Sequence, residues 1–283
     1  PERLYHYTTR KSAMEFILKD KRIRLGSLGK TNDPRETKFW GFALISHTSQ
    51  NKVRENPEKF ISDVDAIQAT ANKIRLDEWY VLCLTSDDPG LEESSEDQIY
   101  DRGFAHPRMW AQYAGNHTGI CFEFSGLALD DAIRNEVGVE NTIFRGYVDY
   151  DRDYDGKNYL NLEKMEAYNL YLPKLHARGL ENGIRQHIKK HYKAFFLTKD
   201  LDWISECEYR WIVHSPNKSG PFYVEIRDAL TAILVGADFP EVYEPSLVAL
   251  CKELRIPIGR IFWRHRRPFA RLNCIFNPEA NTT

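Results

Sequence analysis

Two short runs at opposite ends of the chain set the tightest limits on its fold. Leu4-Tyr5-His6-Tyr7-Thr8 and Trp203-Ile204-Ser205-Glu206-Cys207-Glu208-Tyr209-Arg210-Trp211 are both crowded with β-branched and aromatic residues, the composition of strands. Side chains alternate across a strand, so His6 and Thr8 share a face with Leu4, and Glu206, Glu208 and Arg210 share another. An imidazole and two carboxylates on sheet faces cost free energy unless they are paired or open to a cleft. Either His6 is a hydrogen-bonded core residue and Arg210 pairs with a glutamate, or both strands line one site.

Between these runs the pattern mixes helix and strand. Ala13, Phe16 and Ile17 have helical spacing and Thr9 can cap them; Arg22 to Leu25, carrying Arg24, reads as a second strand. Asn32-Asp33-Pro34 is turn chemistry, and Glu36 to His47 is expected to continue as helix. A polar stretch, Thr48 to Pro57, leads into an amphipathic helix near Glu58 to Leu76. Tyr80 to Leu84 is apolar enough for a strand buried on both faces. Ser86 to Asp101 reads as an acidic loop. Pro107 opens a short helix with Met109, Trp110 and Tyr113, and Gly119 to Phe124 alternates as a strand. Thr142 to Tyr150 reads as strand, Leu160 to Leu197 as charged helix, and the last third as short strands around a helix near Tyr243 to Leu254. Regular βαβ alternation is missing, which predicts an α+β fold in a single domain, 1–283, with a helical insertion around 151–198.

Composition narrows the function classes. A hydrophobic fraction of 42% with 13% aromatics indicates a folded globular chain. A formal net charge of −2 gives no global drive toward nucleic acid or anionic membrane. Five scattered cysteines without a CxxC spacing argue against a disulfide framework or a zinc site. The first residues hold no apolar signal segment and no stretch reaches membrane-spanning length, so a cytoplasmic location without a membrane partner is expected.

Other groups carry two readings each. Trp110 and Tyr113, three apart on a helix, are core residues or a platform for a planar ring. Asp151-Arg152-Asp153-Tyr154-Asp155-Gly156 approaches a calcium loop, but its twelfth position is Leu162, which favours a solvated acidic turn. His187 and His191 lack the HExxH form and read as surface histidines, so no metal is expected. Trp263-Arg264-His265-Arg266-Arg267 is a basic cluster that could meet phosphates or stand as a solvated strand end.

In order and spacing these segments resemble the bacterial family called domain of unknown function 2971. The resemblance rests on Leu4 to Thr8, Leu25 leading to Asn32-Asp33-Pro34 and Glu36, Cys83-Leu84-Thr85-Ser86, Met109-Trp110 with Tyr113-Ala114, Gly119 to Phe124, and Lys199 through Trp203 to Glu206, Glu208, Tyr209 and Arg210. Leu84 departs from the expected Phe. That family is similar to the ADP-ribosyltransferase superfamily in its opening His-Tyr-Thr strand and its late Glu at a strand start. The similarity implies a split, two-sheet core with inserted helices, and NAD as substrate. It further implies that His6 holds the adenosine-side ribose with Tyr7 and Thr8 beside it, and that Trp110 or Tyr113 packs on nicotinamide. Glu208 would stabilise the oxocarbenium-like state and Glu206 orient a protein or nucleic-acid acceptor. Arg24, Asn32 and Arg210 complete the implied cofactor contacts. A toxin or anti-phage effector would suit such an enzyme. A non-catalytic nucleotide- or nucleic-acid-binding module on the same fold is the rival expectation.

Overall fold

The computed structural model describes residues 1–45, 57–88, 102–151, 162–265 and 267–281. Its strands are, in chain order, β1 (Arg3–Thr8), β2 (Arg22–Ser27), β3 (Ala43–Ile45), β4 (Trp79–Ser86), β5 (Ile120–Ser125), β6 (Thr142–Tyr147) and β7 (Asp149–Asp151). There follow β8 (Asn169–Tyr171), β9 (Thr198–Asp200), β10 (Glu208–His214), β11 (Phe222–Glu225), β12 (Leu230–Val235), β13 (Ile258–Arg264) and β14 (Arg267–Phe276). Ten of them form one mostly antiparallel sheet along the path β11-β2-β4-β1-β5-β12-β13-β14, and β10 and β6 branch from β4. The fold is thus mixed α and β: ten strands join in one large branched sheet, and β3 with β8 and β7 with β9 form two small separate ones.

The branch at β4 creates the feature on which the site depends. On one side β10 pairs with β4 from Trp79 to Thr85. On the other side β2 pairs only at Tyr80 and Val81, and β1 only at Thr85 and Ser86. Among the described residues no strand pairs with that edge of β4 at Leu82–Leu84, so β1 and β2 diverge and the sheet opens between them. β4 tolerates this central position because it is apolar from Trp79 to Leu84: Tyr80, Leu82 and Leu84 enter one core cluster, and Trp79 and Val81 enter a second. Removing apolar area on both faces stabilises a strand by about 25 cal/mol per Å².

The helices cover both faces. Thr9 caps the helical segment 10–20, its Oγ1 accepting from Ser12 N at 3.2 Å. A π-helical turn, Ala13–Ile17, interrupts that segment. Ala13, Ile17 and Leu18 point into the core while Phe16 stays exposed. The helix Pro57–Asp77 matches its expected bounds closely, and the Pro107–Gln112 helix begins at proline as expected. Three expectations change. The run after Asn32 is only a short helix, Pro34–Thr37, followed by β3; its remainder at 46–47 lies outside the described residues. The charged helical region is broken into Leu162–Tyr168, Leu172–Ala177, Leu180–Lys190 and Tyr192–Phe196 around β8, which pairs with β3. Trp203–Glu206 is not strand but part of a 3-10 turn, Leu201–Glu206. Most of the expected acidic loop, 89–101, and of the calcium-like turn, 152–160, lies outside the described residues. His191 is buried, not on the surface, and its ring meets His187 at a tilt, 4.7 Å between centres. No metal-holding group of acidic, His or Cys residues occurs among the described residues. No described helix is long and apolar enough to cross a membrane.

Candidate functional site

Where β1 and β2 part, two lobes of a cleft meet. The inner lobe, about 200 Å³, is lined by His6, Tyr7, Tyr113, Glu206, Glu208 and Arg210 among others. The outer lobe, about 990 Å³, lies between β1, β2, β11 and the helical segment 10–20. His6, Tyr7 and Tyr113 line both. Strand alternation explains why the lobes are distinct. Tyr5 pairs with Thr85 and Thr85 with Glu208, so Tyr5 and Tyr7 point to the Glu208 side, while His6 and Thr8 point to the other. The gap beside Leu82–Leu84 is what lets both sets of side chains reach one opening.

The inner lobe is ionic. Arg210 holds Glu208 in a fork, Nε donating to Oε1 and Nη2 to Oε2, both at 2.8 Å. Its Nη1 donates to the Phe196 carbonyl at 2.8 Å and pairs with Glu36. Lys199 donates to Glu206 at 2.5 Å and to Glu208 at 3.3 Å, and sits 4.6 Å from the Trp203 ring centre. Tyr113 donates to Glu206 and accepts from Asn32 Nδ2 at 2.8 Å. Three carboxylates therefore face two cations, all five side chains being buried. Burial alone would raise the Glu208 pKa, but Arg210 and then Lys199 outweigh it and hold the carboxyl at about 2. Lys199 is desolvated, which acts to lower its pKa, yet Glu208 and Glu206 hold it above the ordinary lysine value. Burial, then the Glu206 contact, pushes the Tyr113 phenol up. Burial lowers the His6 pKa to about 4 despite a hydrogen bond with the Cys83 main chain, so its ring is neutral at pH 7.

Local backbone aims these groups. β10 starts at Glu208 because Cys207 adopts a left-handed conformation (φ 44°) and its carbonyl accepts from Ser86 N at 2.8 Å and Ser86 Oγ at 2.9 Å. That turn brings Glu206, from the 3-10 segment, beside Glu208 although the two are not on one strand. Lys199 is set by β9, which pairs in parallel with β7. Glu208 N donates to Tyr150 Oη from the same β7 at 2.8 Å.

Of the residues singled out in the sequence, His6, Tyr7, Thr8, Arg24, Asn32, Tyr113, Glu206, Glu208 and Arg210 all line one lobe or the other. Trp110 does not. It is fully buried, its Nε1 donates to the Phe104 carbonyl at 2.8 Å and it packs edge-on against Tyr7, so it backs the site and offers no face to a ligand. Tyr7 likewise has its hydroxyl tied to the Gly103 carbonyl at 2.6 Å. Cys83 and Lys199 were not singled out as site residues, and Glu36 only as part of a turn; Lys199 in particular stands seven positions before Glu206, a separation with no strand or helix period to flag it.

Residues 109–211 match a family model described as protein of unknown function (DUF2971). No curated protein and no solved structure matches the chain. The matched segment carries Tyr113, Lys199, Glu206, Glu208 and Arg210, the polar half of the inner lobe, whereas His6, Thr8, Arg24 and Asn32 precede it.

Proposed function

We propose that this protein is an NAD-dependent mono-ADP-ribosyltransferase acting on a protein or nucleic-acid acceptor, on an ADP-ribosyltransferase-like split core. The observation that carries the reading is the meeting of His6 from β1 with Glu206 and Glu208 at one two-lobed cleft. The outer lobe suits an adenosine diphosphate. Phe16 and Tyr223, both exposed and both lining this lobe, are aromatic partners suited to a purine. Arg24, with no ion-pair partner among the described residues, faces the same space and suits a diphosphate. The inner lobe suits the other end of NAD. Its surplus carboxylate favours a cationic pyridinium and the positive charge that grows on the ribose as it leaves.

The chemistry is a heterolytic cleavage. The bond between the ribose anomeric carbon and the nicotinamide nitrogen breaks, its electron pair leaves with nicotinamide, and the acceptor's lone pair forms the new bond. The acceptor's proton passes to Glu206 or to water. Glu208 has about four lone-pair sites. Arg210 takes two and Lys199 one. The remaining partner is the Cys83 thiol, a weak donor that a ribose hydroxyl can displace.

The same saturation of Glu208 favours the second reading, a nucleotide-binding module without turnover. One experiment separates them: nicotinamide release from NAD, alongside calorimetric NAD binding. The transferase reading expects release that falls about 10²-fold or more in Glu208→Gln with binding nearly kept. Unchanged release in that variant would sink the assignment, and binding without release by the unaltered protein would leave the module.

A further inference from the structure

The β13–β14 hairpin carries a feature that the cleft does not use. Cross-strand register pairs Phe262 with Phe269, Arg264 with Arg267, and Arg260 with Arg271. These six side chains share one face, since Ile261, Trp263 and Ala270 turn to the other and join the core cluster around Tyr7 and Trp110. Like charges set directly opposite are destabilising unless something compensates them. Arg260 is compensated, by Glu244 and three main-chain carbonyls. Arg264, Arg267 and Arg271 are exposed and have no ion-pair partner among the described residues; Arg271 merely lies over the Phe262 ring. Phe269 between them is 53% exposed.

Beyond the end of β12, the free edge of β13 borders a groove of about 710 Å³ whose lining includes Phe262, Trp263, His117 and Asp238. His117 and Trp263 meet edge to face at 6.2 Å. Trp263 Nε1 and His117 Nδ1 are both buried without a hydrogen-bond partner. Unmet polar atoms on aromatic walls call for a flat, polar-edged ligand. The nearby Asp238 carboxylate disfavours a phosphate inside the groove, leaving phosphates to the arginines.

We infer that this hairpin binds a single-stranded nucleic acid, its phosphates on Arg264, Arg267 and Arg271, one base stacked on Phe269 and another entering the groove at the β13 edge past Phe262. Arginines alternating with aromatic rings, about 6.8 Å apart at every second strand position, are what an extended polynucleotide requires. A duplex keeps its bases stacked inward and cannot use the rings. The inference does not depend on the transferase reading, because none of these residues lines the cleft.

Fluorescence anisotropy with a labelled single-stranded oligonucleotide of roughly twelve nucleotides tests it. Binding should weaken with salt between about 50 and 200 mM, with log K falling against log salt at a slope near −2, as about three neutralised phosphates on a single strand predict. Phe269→Ala should weaken binding about five-fold or more, the effect of losing one base stack. The triple variant Arg264→Ala, Arg267→Ala, Arg271→Ala should bring the slope close to zero. Its far-ultraviolet circular dichroism should be unchanged and its melting unchanged or slightly raised, since the three side chains are exposed and a like-charge pair is relieved; should it misfold, Phe269→Ala and the salt slope of the unaltered protein still decide. Absence of binding at about 50 mM salt, equal affinity for a duplex, equal affinity for a polyglutamate peptide, or insensitivity to Phe269→Ala would each overturn the proposal.

Discussion

Lys199→Met removes the cation that lies between Glu206 and Glu208 while keeping a side chain of similar length. In the intact protein two cations face the carboxylates of Glu36, Glu206 and Glu208. The variant leaves Arg210 alone against all three. Breaking a buried ion pair from one side costs about 3–5 kcal/mol, because the remaining charge is stranded out of water. Proton linkage gives a consistent figure. Glu208 is held at about 2 against an ordinary 4.5, a difference worth about 3 kcal/mol of stability, of which Lys199 supplies a part. That stability is present above pH 4.5 and fades as the pH falls toward 2. In Lys199→Met, less of the desolvation is offset, and the Glu208 carboxyl titrates higher. The deficit should therefore be full at pH 7 and have shrunk by about pH 3, below the ordinary carboxylate value. Urea unfolding at both pH values, with the slope m checked for constancy, measures it. Adding Glu206→Gln to Lys199→Met should recover about 0.5–3 kcal/mol through the coupling of the two sites. A loss under about 1 kcal/mol at pH 7 would refute the argument, since that is what an exposed pair contributes. So would a deficit that grows on acidification.

Three further outcomes are expected. Tyr113→Phe should cost about 1–3 kcal/mol by stripping a hydrogen bond from buried Glu206, read by thermal melting, and on the proposed transferase reading should raise the KM for NAD more than it lowers kcat. His6 titrates at about 4, so below pH 6.5 the unfolded chain binds its proton first. Folding stability should then drop by of order 2 kcal/mol between pH 6.5 and 4, and the drop should be absent from His6→Gln in parallel denaturant titrations. Cys207→Val, placing a β-branched residue at φ 44°, should cost about 1–2 kcal/mol by melting.

Parts of this site could be read from residues alone, for identifiable reasons. Aromatic and β-branched residues marked β1, a continuous apolar run marked β4 and period-two alternation marked β5, and turn chemistry at Asn32-Asp33-Pro34 located a capped helix start: Asp33 Oδ1 accepts from Arg35 N at 2.8 Å. Glu206 and Glu208 were grouped correctly through a mistaken route. A shared strand face was expected, whereas a 3-10 turn and the left-handed Cys207 achieve the same approach. Trp110 and Tyr113 could not be told apart by spacing, because three residues on a helix place both on one side, and only the packing of Tyr7 and Phe104 decides which is sealed. Lys199 depends on the β7–β9 pairing, a contact between segments about fifty residues apart that no local pattern encodes. β14 was missed because its edge position leaves it polar and exposed, which erases the alternation that reveals buried strands.

The opening beside Leu82–Leu84 is bounded by main chain on both sides, by the divergence of β1 and β2 from a strand that β10 braces along nearly its full length. Its width is therefore an architectural quantity. Exchanging side chains around the rim can alter which molecule is welcome there, but the gate itself stays open at a fixed size unless a strand shifts register. Diversification of such a protein should accordingly proceed through its rim, with the aperture inherited unchanged.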